Sequence, residues 1–267
     1  MSASEQLLAA SAAPGVSRSQ SFAALTWRQY RLERRMFWRN PSAAFFNFML
    51  PLLLLAMFGA IFSSDQDDLN VIVPGIAGMS VVSTTFSALA YNMTAMREQG
   101  ILKRMRGTPM PSSAYLTGIA AHSITNTAMQ MVLIVVSGKV FFGIDWPPNP
   151  GELLVFVVLG VLCFASLGVA LSHVIPNNES APAYVNAIFL PLIIISGVFY
   201  DADNVPAFLA GIAEALPLTH LIDGLSAAMV TGESLSDQLS SLGVIVAWTI
   251  LGVALAIRGF SWEARRT

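Results

Sequence analysis

Apolar residues fall along this chain in long, nearly unbroken runs joined by short polar links. Crossing a bilayer as a helix takes about 20 mostly apolar residues. Six stretches meet that measure: about Ser42–Phe62, Val71–Met93, Ala121–Phe142, Leu153–Ile175, Ala183–Tyr200 and Leu239–Ile257. Each is expected to be helical, because a lone helix satisfies its own backbone hydrogen bonds in hydrocarbon and a lone strand does not. The pattern therefore predicts an all-α membrane protein with six transmembrane helices.

Two segments break the pattern. Between Phe22 and Arg39, the residues Phe22, Leu25, Leu32 and Met36 share one stripe at helical spacing, with Arg31, Arg34 and Arg35 off it and Asn40-Pro41 as the stop. A basic amphipathic helix over 22–40 is expected to lie on the inner membrane surface, as a lipid anchor or as a partner contact. The outer loop from Asp201 to about Gln238 holds two apolar pieces, "AFLAGIAEAL" and "THLIDGLSAAMV", separated by Pro217 and each too short to cross. They suit a re-entrant helical hairpin between spans five and six, shielded by protein or water. Residues 1–21 read as a disordered cytoplasmic tail, 41–260 as the six-span domain and 261–267 as a second cytoplasmic tail.

Composition agrees: 55% of the 267 residues are hydrophobic and 11% charged, with a mean hydropathy of +0.64, against roughly 25% charged in soluble domains. The net charge of −2 hides a segregation by sign. Arg18, Arg28, Arg31, Arg34, Arg35 and Arg39 precede span one; Arg97, Lys103, Arg104 and Arg106 lie between spans two and three; Arg258, Arg265 and Arg266 follow span six. Basic residues are retained on the cytoplasmic side, so both termini are expected there, with thirteen of the fourteen basic residues inside. Acidic residues such as Asp65, Asp145, Asp201 and Glu233 populate the three outer loops. Lys139, near the outer end of span three, is either a side chain reaching the interface or a counter-charge for an anionic substrate.

A chain that moves solutes needs an energy source. A P-loop requires Gly-x4-Gly-Lys-Ser/Thr, and the two lysines here are followed by Arg104 and Val140. ATP hydrolysis, if used, belongs to another chain. The middles of the spans carry no Asp, Glu, Lys or Arg, which disfavours an ion-coupled carrier. His122 and His173 fit interfacial hydrogen bonding better than a proton relay. No His-Glu-x-x-His, facing aspartates or Gly-x-Ser-x-Gly is found, and the lone Cys163 sits in an apolar run, so neither catalysis nor a metal site is expected.

The stretch "MREQGILKRMRGTP" between spans two and three concentrates more positive charge than topology alone requires. Glu98, Gly100, Ile101 and Leu102 suit a short helix or turn with an apolar contact face, ended by Pro109 and Pro111. At Glu98, Gly100, Leu102, Lys103, Arg104, Arg106, Thr108 and Pro109 the chain resembles the ABC-2 family of transporter permeases, within it the drug-resistance permeases of the daunorubicin-export type. A second similar segment is "ISGVFYDADNVP", Ile195 to Pro206, followed by "ALPLTHLIDGL", Ala215 to Leu225. The resemblance spans about Ala23 to Gly259, with Ile101 standing where the family usually has threonine.

The resemblance implies that the basic link is a coupling helix docking on a separate nucleotide-binding subunit, with Arg97, Glu98, Gly100, Leu102, Lys103, Arg104, Arg106 and Pro109 as its residues. ATP and magnesium would be held by that partner and no cofactor by this chain. The helix from Phe22 to Arg39, with Arg31, Arg34 and Arg35, would be the family's connecting helix. A second permease chain, the same or different, would complete the pathway in a bacterial cytoplasmic membrane, with membrane lipid around it and no nucleic acid involved. Spans two and five would line that pathway, giving Phe86, Tyr91, Asn92, Asn186, Phe189 and Ser196 as candidates, each of which also suits ordinary helix packing. Gly168 and Ser172 better suit close helix approach. The mostly apolar pathway candidates favour a hydrophobic or amphipathic substrate, a drug-like molecule or a lipid. A polysaccharide or glycolipid exporter of the same family, and a membrane scaffold that transports nothing, remain the alternatives.

Overall fold

A computed structural model of the protein describes residues 21–62, 66–108, 110–199 and 207–259. The expected tails, Asp65, Asp201 and Pro109 lie outside the described residues, as does the side chain of Arg106. Among the described residues every regular element is a helix. Five helical stretches are long and apolar enough to cross a bilayer: Pro41–Ile61, Asp68–Glu98, Ser112–Phe142, Pro150–Ser172 and Leu239–Arg258.

Helix α1 (Phe22–Arg39) starts at Ser21, whose hydroxyl accepts from the amide of Ala24, and stops at Asn40. Asn40 then caps α2 (Pro41–Ile61), accepting from Ala43 N at 3.2 Å, with Pro41 in the first helical position where its missing N–H costs nothing. Next come α3 (Gln66–Val82), one π-helical turn (Ser83–Ser87) and α4 (Ala88–Glu98), which together form the second spanning stretch. The surface helix α5 (Ile101–Arg106) is followed by α6 (Ser112–Phe142) and α7 (Pro150–Ser172).

The expected fifth span is a shorter object than the sequence suggests. Helix α8 runs from Ala181 to Ile195, 15 residues, and gives way to a turn in which Gly197 has φ 72°. Left-handed backbone of that kind is tolerated by glycine and ends a helix. Beyond it, α9 (Ala207–Ala213) and α10 (Pro217–Ser226) are the two short pieces expected around Pro217, and a π-helical turn over Ala227–Thr231 closes on Gly232. Helix α11 (Leu239–Gly259) completes the chain.

Burial sorts these helices. In the α3–α4 stretch 72% of the apolar window is buried, against 22% in both α2 and α11. The outward faces of α2 and α11, with Phe46, Leu53, Ile61, Ile250 and Ile257 exposed, match lipid as the surrounding solvent. Small residues permit the closest approaches: a methyl group added at Gly168 on α7 would lie 2.5 Å from the carbonyl oxygen of Phe86, and one at Gly224 on α10 would strike the Phe156 ring. Helix α10 is buried along most of its length, against α3, α7 and α11. Its loop is tied down further by Trp248 Nε1 donating to Ala215 O at 2.9 Å and by Asn149 Nδ2 donating to Gly232 O at 2.9 Å.

Helix α1 packs on α6 and keeps its apolar stripe outward, as a helix lying on a membrane surface requires. The apolar stripe of Phe22, Leu32 and Met36 is exposed, and Gln29 is the residue buried, seated on Gly118, where a methyl group would collide with its side chain. Lys139 pairs with Asp145 at 3.2 Å in the turn after α6.

Candidate functional site

The basic link is built by α4, α5 and the loop after α7. Helix α4 ends at Glu98, and Gly100, with φ 69°, turns the chain into α5. A residue with a Cβ is strained at that angle, so the glycine fixes the angle between the two helices. Leu102 is buried among Leu89, Met93, Tyr115, Ile119 and Val169, with Met96, Met105 and Met110 packed around them. The apolar face of α5 is thus turned into the chain itself, and Lys103 and Arg104 are left exposed.

Two members of the link bond within the chain. Arg97 is buried, and its guanidinium donates to Ile175 O at 2.6 Å. The carboxylate of Glu98 accepts from the amide of Asn178 at 2.7 Å. Adjacent residues of α4 thereby hold the loop joining α7 to α8, and charge-assisted bonds of this sort are about twice as strong as neutral ones. Gly100 thus joins α5 to α4, and Arg97 and Glu98 join α4 to the loop between α7 and α8. Spacing in the sequence pointed to one docking segment; the structure divides it into Arg97, Glu98 and Leu102, which anchor, and Lys103 and Arg104, which are presented.

On α1, Arg31 and Arg35 are exposed, and Arg34 is half-buried, donating to Met129 Sδ on α6 at 3.4 Å with its guanidinium 5.9 Å from the Trp38 ring centroid. Glu33 accepts from Gln29 Nε2 at 2.7 Å, and burial raises its carboxyl above the usual range despite that bond.

The six pathway candidates do not converge. Phe86 borders an apolar crevice of about 630 Å³ between α7, α8, α10 and α11, together with Ile188 and Leu192. Asn92 instead opens on a polar cavity of about 310 Å³ between α1, α2, α4 and α6. Tyr91 and Phe189 are half-buried against the main core, Asn186 is exposed on α8, and Ser196 is buried at its end. Sequence reasoning missed the residues that shape the polar cavity, Asn47, Thr84, His122 and Asn126, because they come from three separate helices; the one local signal is the four-residue spacing of His122 and Asn126, which puts both on one face of α6. Groups of His, Cys, Asp or Glu suited to a metal ion are absent among the described residues.

Comparison with known proteins gives one family match, to the ABC-2 type transporter, over residues 20–230. The linearmycin resistance permease protein LnrN of Bacillus subtilis is 24% identical over 184 residues, 68% of this chain and 48% of the relative. The daunorubicin resistance ABC transporter permease protein DrrB1 of Streptomyces coeruleorubidus is 26% identical over 191 residues, 64% of this chain and 63% of its own length. Nodulation protein J of Rhizobium leguminosarum bv. viciae is 23% identical, covering 66% of this chain and 67% of that one. The alignment thus spans about half of the first of these relatives and about two thirds of the others.

Proposed function

The chain belongs to the ABC-2 type transporter family, and from that premise we propose that it is the membrane permease of an ATP-driven exporter, working with a separate nucleotide-binding subunit. The observation that carries this reading is the anchoring of α5. A short helix that leaves Lys103 and Arg104 exposed, is seated by Leu102 and adjoins an α4 end tied by Arg97 and Glu98 to the α7–α8 loop is suited to receive a partner's movement and pass it inward. ATP binding would favour one of two permease arrangements only to the extent that the ATPase binds them differently.

The topology we infer has six crossings and both termini in the cytoplasm. If α5 and Arg258 are both inside, as their charge requires, α6 runs outward, α7 inward and α11 inward again. The chain must therefore return outward between Ser172 and Leu239, and α8 with the turn after it supplies that crossing. Helices α9 and α10 then form the outer re-entrant hairpin, with α10 shielded by α3, α7 and α11 and α9 set against α8. Two such permease chains would enclose the pathway in a bacterial cytoplasmic membrane. A hydrophobic or amphipathic substrate fits the apolar crevice, and drug efflux is the form of transport that the names of the resistance relatives favour.

The test is purification of the chain from its native membrane in mild detergent, followed by reconstitution. A co-purifying ATPase lost in Arg104→Glu, together with nucleotide-dependent transport in vesicles, is the expected result. An intact complex that holds no ATPase would refute the reading and favour a scaffold. Transport that collapses with the proton gradient and ignores ATP would instead favour an ion-coupled carrier.

A further inference from the structure

The polar cavity beside Asn92 is hard to explain as packing. It lies within one chain, roofed by α1 and walled by α2, α4 and α6, with a volume of about 310 Å³, inside the range of small-molecule sites. Several buried polar atoms around it have no hydrogen-bond partner: Asn126 Oδ1, on a side chain 2% exposed, His122 Nδ1 and Asn47 Nδ2. Unsatisfied groups of this kind are costly away from water, and three on one cavity imply that something else completes them. Beside them Thr84 donates to Gln130 at 2.9 Å and Gln130 donates to Asn47 O at 2.5 Å, so those groups are engaged with each other.

The unpartnered set has a sign. Glu33 is the carboxylate at the cavity, its recorded bond comes from a neutral amide, and neither Lys nor Arg is among the described lining residues. Arg34, which bonds Met129 on α6 and stands 5.9 Å from the Trp38 ring centroid, lies close enough to His122 to act on it electrostatically, so Glu33 offsets a neighbouring positive charge as well as facing the cavity. Asn126 Oδ1 accepts, and so does His122 Nδ1 in the tautomer that carries its proton on Nε2. Three acceptors, one of them a carboxylate, match the three N–H donors of a primary ammonium. Asn47 Nδ2 is left to donate to an oxygen of the same molecule. The other walls are apolar, from Phe37, Leu89, Met93 and Ile119, which suits a hydrocarbon body.

We propose that this cavity is a binding site, complete within a single permease chain, for an amphiphile bearing a primary ammonium head group. The site is separate from the apolar crevice at Phe86 and is reached beneath α1. As a substrate site it rests on the transport reading above; as a binding site it does not.

The experiment uses the full chain alone in nanodiscs, with a diazirine-tagged long-chain primary amine as photo-crosslinker and adducts mapped by mass spectrometry. Adducts are expected on the cavity walls, at Met93 or Met96. Unlabelled dodecylamine should compete, while dodecyltrimethylammonium, which lacks N–H donors, and dodecyl phosphate should each need at least about tenfold more, as loss of a charge-assisted hydrogen bond implies. Glu33→Gln should weaken labelling by about tenfold, and Ala88→Phe, which fills the cavity, should remove it. Asn126→Leu provides a third variant should either of those fail to fold. Equal competition by dodecyl phosphate, or adducts that persist unchanged in the folded variants, would overturn the proposal. ATP-driven transport without cavity adducts would refute the site and leave the transporter reading standing; cavity adducts in a chain that recruits no ATPase would do the reverse.

Discussion

The guanidinium of Arg97 donates to the carbonyl oxygen of Ile175 at 2.6 Å, joining the end of the second spanning stretch to the loop after α7 across 78 residues of sequence. Beside it Glu98 holds Asn178. Two consecutive side chains thus tie the end of α4 to the loop between α7 and α8.

Removing that tie should cost stability and transmission together. Arg97→Ala leaves a carbonyl short of a charged donor, and a loss of about 1.5–3 kcal/mol is expected in denaturant unfolding of the solubilised chain. Arg97→Lys should recover part of it. If the tie transmits motion, the Lys variant retains ATPase association and loses transport per ATP hydrolysed. Wild-type coupling in the Ala variant would show that α5 acts through α4 alone.

Leu102 and Arg104, two residues apart on α5, should behave oppositely. Leu102→Ala empties a buried position and is expected to cost about 2–5 kcal/mol, seen as early melting of the permease alone. Arg104→Glu alters an exposed position and should leave melting unchanged while abolishing capture of the ATPase. A common phenotype for the two would contradict the division of α5 into an anchored and a presented face.

That division marks the limit of what the sequence discloses. Hydropathy runs locate the five long helices, and Asn40-Pro41 and Pro217 mark boundaries that the structure keeps, whereas Gly100, read as part of the short helix or turn, is the left-handed residue that separates α4 from α5. On α1 the amphipathic stripe was legible, and Phe22, Leu32 and Met36 are exposed as a lipid-facing stripe needs, but the seating of Gln29 on Gly118 was not. Beside a bilayer the apolar side has lipid to face, and the polar side gains by finding protein partners. The 15-residue length of α8 was hidden for a related reason: the apolar run continues through Gly197, whose positive φ leaves no trace in hydropathy. The polar cavity is a tertiary product, because Asn47, Thr84 and Asn126 meet only after three helices have packed.

Close helix contacts should be intolerant of a single methyl group where the neighbour is backbone. Gly75 of α3 lies against the backbone of Val198, which cannot move independently of the turn after α8, whereas Gly243 of α11 has open space. Gly75→Ala is expected to destabilise by at least about 1–3 kcal/mol, and Gly243→Ala to be neutral or slightly stabilising through helix propensity. Gly59→Ala, which meets the Phe142 ring rather than backbone, should fall between them. Equal melting temperatures for Gly75→Ala and Gly243→Ala would mean that the α3 contact is looser than the geometry requires.

Glu33 supplies a prediction in pH. Burial raises its carboxyl above the ordinary 4.5, and the bond from Gln29 only partly offsets this. Below about 4.5 the group is protonated in both folded and unfolded chains and contributes no slope. As pH rises past that value the unfolded chain releases its proton first, so stability falls until the raised folded value is passed, and is level above it. Glu33→Gln keeps an acceptor for Gln29 and has no proton to lose. Thermal unfolding from acidic to neutral buffer should therefore show a downward slope in the wild type that the variant lacks, with the variant at least as stable at neutral pH. A wild type more stable at neutral pH than the Gln variant would mean that a cation already sits beside the carboxylate in the empty cavity's place, and repeating the titration after extensive delipidation would show whether that cation is a bound amine.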